Sequence, residues 1–230
     1  MKKKLVSLLC VLLLVVGAVA GTYAYLIDKD TVVNEFTVGK VKIDLNEALV
    51  DIYGNPLDEN DKIVEDVDDA KRIDDKNTYK LMPGHYYVKD PTVTVKALSE
   101  DSYVRMLVTF TCSDVLDTIL PNAELIDIFE DYDPSVWEYV GNVEDNEKHT
   151  RTYEFRYKET VQTLTPNKDN TLEPLFTGFT FPETVTAEQL TRLESGFSMT
   201  VVAQAVQADT FEGDDDAAWA AFDAQYTPAP

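Results

Sequence analysis

The chain has 230 residues, 42 Asp and Glu against 20 Lys and Arg, two histidines and a formal net charge of −22. So acidic a chain lacks the clustered Lys and Arg that nucleic acid and anionic lipid require, which leaves nucleic acid out as a partner. Two cysteines cannot supply the disulfide framework of a small exported scaffold, so the fold must rest on a hydrophobic core, and the chain is long enough to build one.

In chain order the first element is a basic head, Lys2 to Lys4, followed by an uncharged run from Leu5 to Ile27 that Asp28 ends. Gly17, Ala18, Ala20, Gly21 and Ala24 crowd the exit side, the pattern of a cleaved secretory signal. Two cuts fit the small-residue rule: after Ala20, before Gly21, or after Ala24, before Tyr25. The alternative is an uncleaved anchor, because about 20 apolar residues span a bilayer. Gly17 and Gly21 would then be a helix-pairing motif. Cys10 follows the large Leu9, which argues against lipid attachment. With residues 1–24 removed, the three lysines leave and the net charge becomes −25.

Beyond the cut the residues read as an extended stretch, "YLIDKDTVVNEF", residues 25–36, without proline or glycine. Tyr25, Leu26, Ile27, Val32, Val33 and Phe36 give it apolar weight. A lone strand of this kind needs a sheet edge to satisfy its backbone. That edge belongs either to its own domain or to a neighbouring copy.

Residues 37–230 read as one domain. Several segments alternate with period two, like half-buried strands. Val41, Ile43 and Leu45 share one face of "GKVKIDLNE". Val93 and Val95 oppose Thr92 and Thr94 in "DPTVTVKAL". Val104, Met106, Val108, Phe110 and Cys112 share a face, with Cys112 expected as a buried small apolar residue. Tyr153, Phe155 and Tyr157 alternate in "RTYEFRYKE", and Phe197, Met199, Val201, Ala203 and Ala205 in "FSMTVVAQAVQA". "LFTGFTF" is a shorter aromatic strand. One-sided alternation implies antiparallel sheets with one wet face, hence a sandwich or barrel.

Helical pieces are few. "SDVLDTIL" and "AELIDIFEDY" flank Pro121 as two short helices or one broken one. Thr186 and Gln189 form a capping box ahead of "AEQLTRLES". "DDDAAWAAFDAQ" places acids at a helix start, with Trp219 and Phe222 on one docking face. The Asp-rich stretch 50–80 reads as a long acidic insertion, an exposed loop or charged hairpin. Residues 144–150 read as another loop.

Chemistry-bearing motifs are absent from the sequence. His85 and His149 stand apart, in a turn and a charged loop, and both are expected to be solvated. Neither belongs to a zinc-helix pattern, and a catalytic zinc needs three protein ligands. No nucleophile elbow, phosphate loop or dinucleotide fingerprint occurs. The stretch 58–69 lacks the glycine of a calcium-binding hand, leaving at most loose surface calcium. The expectation is a non-enzyme with no metal site and no cofactor.

Residues 21–45, "GTYAYLIDKDTVVNEFTVGKVKIDL", resemble the start of the TasA/camelysin family of Gram-positive biofilm matrix proteins. The matching positions are Thr22, Ala24, Leu26 and Asp28, then Phe36 and Gly39. "MPGHYYVKDPTVTV", Met82 to Val95, is similar to the family's P-G-x-x-x-x-K-D segment and following strand. "SYVRMLVTF" and "VVAQAVQADTF" resemble later strands. The acidic insertion at 50–80 departs from the pattern. The resemblance implies a mainly β, antiparallel jelly-roll-like β-sandwich with a few short helices. It implies a dedicated signal peptidase that cuts between Ala24 and Tyr25, and secretion to the extracellular matrix or cell surface. It also implies a head-to-tail homopolymer, alongside other matrix components, in which the N-terminal segment of one subunit completes the sheet of the next. A camelysin-like surface metalloprotease is a further implied activity, against which the two isolated histidines weigh. A membrane-anchored adhesion domain is the reading if the signal stays attached.

Overall fold

The computed structural model describes residues 41–120, 125–162, 168–194, 196–211 and 213–226. Among them are eleven strands in three antiparallel sheets and three α-helices. The arrangement is mainly β and consistent with a β-sandwich. The signal segment, the Ala24–Tyr25 cut and the stretch 25–36 lie outside the described residues.

The largest sheet holds β5 (Ser102–Thr111), β7 (Trp137–Asp145), β8 (Thr150–Tyr157) and β11 (Met199–Gln207) in the order β11-β5-β8-β7. β5 is central, and its alternation is as the sequence implies: Val104, Met106, Val108 and Phe110 are fully buried. Tyr153 and Phe155 of β8 oppose Val108 and Met106 on the same face. β11 runs beside β5 in unbroken register over nine pairs, from Met199 opposite Phe110 to Gln207 opposite Ser102.

A second sheet orders β2 (Arg72–Ile73), β1 (Ile43–Ala48), β4 (Thr92–Val95) and β9 (Asn170–Thr171) as β2-β1-β4-β9. The third places β10 (Gly178–Thr180) between β3 (Tyr86–Val88) and β6 (Phe129–Glu130). One buried cluster draws on all three sheets. At its centre Phe129 stacks on Phe176 at 4.1 Å, and Phe110 meets Tyr153 edge to face at 5.9 Å, arrangements that suit ring quadrupoles.

Helix α1 (Ser113–Ile119) buries Val115, Leu116 and Ile119. Helix α2 (Ala187–Glu194) starts at the expected box: the Gln189 N–H donates to Thr186 Oγ1, and the Thr186 N–H donates to Gln189 Oε1. Helix α3 (Asp215–Tyr226) begins with Asp214 accepting the Ala217 N–H. It docks Trp219 and Phe222 over the Arg105 guanidinium, 4.4 and 5.3 Å from the ring centres. Arg105 is 3% exposed, so its charge needs partners; Asp223, Glu154 and Gln204 supply them.

Several expectations are corrected. Cys112 does not close β5. It sits at φ 58, the junction into α1, and is only half-buried. "AELIDIFEDY" is not an α-helix: Leu125–Ile128 is a 3-10 turn that runs straight into β6. Thr92 and Thr94 do not face water; both are buried, because Arg72 covers Thr92 and Thr171 bonds to Thr94.

The acidic insertion is neither a loose loop nor a simple hairpin. Its aspartates cap successive turns: Asp51 accepts from the N–H groups of Tyr53 and Asn55, Asp58 from Asn60 and Lys62, and Asp66 from Asp68. Aspartate side chains satisfying nearby N–H groups are a local alternative to regular structure. The insertion then packs against β3 at Gly54, where a Cβ would stand 2.7 Å from Tyr87 Cα and φ is +80°. Glycine alone fits both constraints.

Candidate functional site

β11 reads "MTVVAQAVQ": nine residues with no charge, proline or glycine. Among the described residues it pairs only with β5, so it is a sheet edge. The Thr111 N–H donates to the Ser198 carbonyl, which fixes the alternation of the ladder. Even-numbered residues of β11 turn their main chain to β5. Met199, Val201, Ala203 and Ala205 turn theirs to the open side. Their side chains lie half-buried against the core cluster.

A groove of about 950 Å³ borders this edge. One wall is Phe197 to Val201. The facing wall is Leu45 to Glu47 of β1 with residues 73–80 of the insertion and Leu81 after it, and Phe179, Leu190 and Leu193 complete the apolar lining.

The insertion wall is held by a chain of hydrogen bonds. Asn77 accepts the Val50 N–H and donates to Glu47 Oε1 and the Ala48 carbonyl, both at 2.8 Å. The Lys80 N–H donates to the Ile52 carbonyl at 2.7 Å, and the Tyr87 hydroxyl donates to the Lys80 carbonyl at 2.6 Å. Tyr79 meets Tyr87 and Phe179 edge to face at 5.6 Å, and its hydroxyl donates to the Val88 carbonyl. Burial, and then the charges of Glu47 and Asp90, push the Tyr79 hydroxyl far above the ordinary phenol range. It is therefore a permanent donor.

Beneath this wall lies an ion pair. Lys89 and Glu47, 8% and 12% exposed at their side chains, bond to each other and both line the groove. Arg72 pairs with Asp90 and also donates to Asn46 Oδ1 and Thr92 Oγ1. Asp90 Oδ1 in turn accepts the Ala48 N–H at 2.7 Å. These charges sew the insertion, β1 and β4 together, so one side of the groove is stiff.

The residues singled out from sequence divide clearly. Ala24, Tyr25, Leu26, Ile27, Val32, Val33 and Phe36 lie outside the described residues. His85 is half-buried rather than solvated: its Nε2 lies 2.8 Å from the Tyr53 carbonyl and its ring packs on Tyr87, so it fastens the insertion. His149 is exposed, 3.8 Å from Asp114. Among the described residues no group of three or more His, Cys, Asp or Glu side chains could hold a metal ion. Among them, too, no helix is long and apolar enough to cross a membrane.

Sequence reasoning read β11 as a strand but not as an acceptor, and it missed the insertion as a groove wall. The one sequence signal was the uncharged run from Met199 to Gln207. No family model, curated protein or solved structure matches the chain.

Proposed function

We propose that the chain is a secreted structural subunit that polymerises into extracellular biofilm matrix fibres by strand addition, as the TasA/camelysin resemblance implies. Residues 25–36 of one copy add to the open β11 edge of the next, and the sheets belong to a jelly-roll-like sandwich. The carrying observation is the uncharged edge of β11 beside a groove whose lining includes Leu45, Phe179, Leu190 and Leu193. An added strand would satisfy the outward-facing main chain of Met199, Val201 and Ala203, and place alternate side chains against Leu45, Phe179 and Leu190. The donor and the acceptor lie at different places on one chain. The contact is therefore heterologous, and a rotation between copies that does not close into a ring extends it into a filament.

The test is a mature chain starting after residue 36. It retains the native circular dichroism spectrum and melts cooperatively, but stays monomeric in sedimentation and forms no filaments under the electron microscope. Filaments from that truncated chain would sink the proposal.

A further inference from the structure

We propose that Lys89 and Asn77 join in an intramolecular isopeptide bond, with Glu47 carrying the protons. The chain makes this modification with its own side chains, and the bond does not depend on strand addition.

The reacting groups are already gathered. Lys89 directly follows β3 and is 7% exposed, and no other lysine among the described residues is buried. Its ammonium donates to Glu47 Oε2, while Asn77 Nδ2 donates to Glu47 Oε1 at 2.8 Å. One carboxylate thus holds the amine on one oxygen and the amide on the other. The Lys89 and Glu47 side chains are 8% and 12% exposed, which shields the reaction from water as a competing nucleophile.

The amide is held at both ends. Asn77 Oδ1 accepts the Val50 N–H at 3.0 Å, and Nδ2 donates a second bond to the Ala48 carbonyl at 2.8 Å. A fixed backbone N–H on the carbonyl oxygen stands where negative charge develops during attack on the amide carbon. A plain ion pair has no use for an amide polarised in this way on its second carboxylate oxygen. With Asn77 fixed, the moving part is Lys89, whose amine sits on a flexible four-carbon stem. Rotating that stem brings the amine to the near-attack distance of about 3–3.5 Å from Asn77 Cγ.

The steps balance. Glu47 takes one proton from the Lys89 ammonium and leaves a neutral amine. The amine lone pair attacks Asn77 Cγ, the Nζ–Cγ bond forms, and the carbonyl π electrons move to Oδ1, facing the Val50 N–H. Glu47 passes its proton to Nδ2. The carbonyl re-forms, and the Cγ–Nδ2 bond breaks with its electron pair going to nitrogen. The departing ammonia takes the second Nζ proton and leaves as ammonium. A lysine ammonium and a primary amide become a secondary amide and free ammonium. Nothing is oxidised or reduced, and Glu47 ends as the carboxylate it began as. The bond closes the loop from residue 77 to residue 89 and ties the insertion wall covalently to the turn between β3 and β4.

The experiment is mass spectrometry on the purified, folded chain and on its Glu47→Gln variant. The wild type is expected about 17 Da below the mass of its sequence counted from its measured N-terminus, one ammonia lost. Trypsin cuts after Lys76, Lys80 and Lys96 but not at an acylated Lys89, so residues 77–80 and 81–96 are expected as one branched peptide. Glu47→Gln cannot take the proton, and it is expected at its full sequence mass with linear peptides. A wild type at full mass, with separate linear peptides 77–80 and 81–89, would overturn the bond however the variant folds. Loss of ammonia with linear peptides would assign the loss to a cyclic imide and overturn the bond as well. A branched peptide from Glu47→Gln would overturn the role of Glu47.

Discussion

The two edges of the large sheet are built on opposite rules. β7 interrupts its pairing with a bulge between Tyr139 and Gly141, and carries Glu138, Glu144 and Asp145. A bulge and charges are the devices by which native sheets prevent edge-to-edge pairing. β11 has neither: its register is unbroken over nine pairs and its sequence is uncharged. Of the apolar residues exposed on β7, Val140 is the bulge residue itself, and Val143 stands opposite Thr152 beside the charged Glu144 and Asp145. Within this sheet β7 is therefore the guarded edge and β11 the plain one. Under the proposed assembly, that difference directs an added strand to β11 and not to β7.

The sharpest way to break the contrast is proline on β11, because its effect must depend on parity. Val201 turns its N–H to the open side, and Val202 turns its N–H to β5. Val201→Pro is expected to keep the fold and abolish filament formation, since an edge proline removes only the outward donor. Val202→Pro removes a ladder bond and should cost about 3 kcal/mol, with a fall in Tm on the order of 10 °C. Thermal melts and filament counts on the two variants read both halves. Equal melts with equal filament yield would mean that β11 is not the acceptor.

That parity was not legible in the sequence, although much of the sheet was. The inward face of β5, from Val104 to Phe110, follows from period two alone. So do Tyr153 and Phe155, while the Thr186–Gln189 box and the pairing of Trp219 with Phe222 follow from helical spacing of three. Each of these is a local pattern. The misses are non-local. Thr92 and Thr94 read as a wet face because nothing nearby announces that Arg72 and Thr171 will cover them. The groove draws its walls from β1, the insertion, β10, α2 and β11, stretches that only the folded chain brings together. The insertion itself misled because its aspartates look like a solvated charge run, whereas Asp51, Asp58 and Asp66 spend their oxygens on backbone N–H groups.

A smaller effect is expected from removing the guard on β7. Deleting Val140 restores an even register, since Tyr139 already faces Phe155 and Gly141 faces Glu154. Combined with Glu138→Thr, the deletion leaves a straighter and less acidic edge. The variant should fold and scatter light at least about twofold more than the wild type at matched concentration, because it presents a second pairing edge. Unchanged scattering would show that the bulge and Glu138 do not protect this strand.

The smallest effect distinguishes the edges by pH. At the tip of the β7–β8 hairpin, Asp145 accepts the N–H groups of Glu147 and Lys148, and the Lys148 ammonium at 2.7 Å. The Lys148 side chain, followed by the Lys148 N–H, holds the Asp145 carboxyl below the ordinary carboxylate range. A carboxylate whose folded value is lowered stabilises the turn fully at neutral pH. That contribution fades as pH falls through the ordinary carboxylate range toward the lowered value. β11 holds no carboxylate, so no residue of that strand loses a stabilising charge on acidification. Amide exchange, corrected for intrinsic rates, should therefore lose protection at Glu147 and Lys148 on acidification, while the β5-facing amides of Thr200 and Val202 hold theirs. Asp145→Asn keeps an acceptor and removes the charge, so it should flatten the dependence at the hairpin. If Thr200 and Val202 lost protection together with the hairpin, the two edges would be opening as one unit. The guarded and plain strands would then be equally labile, and the asymmetry between them would lie in pairing alone.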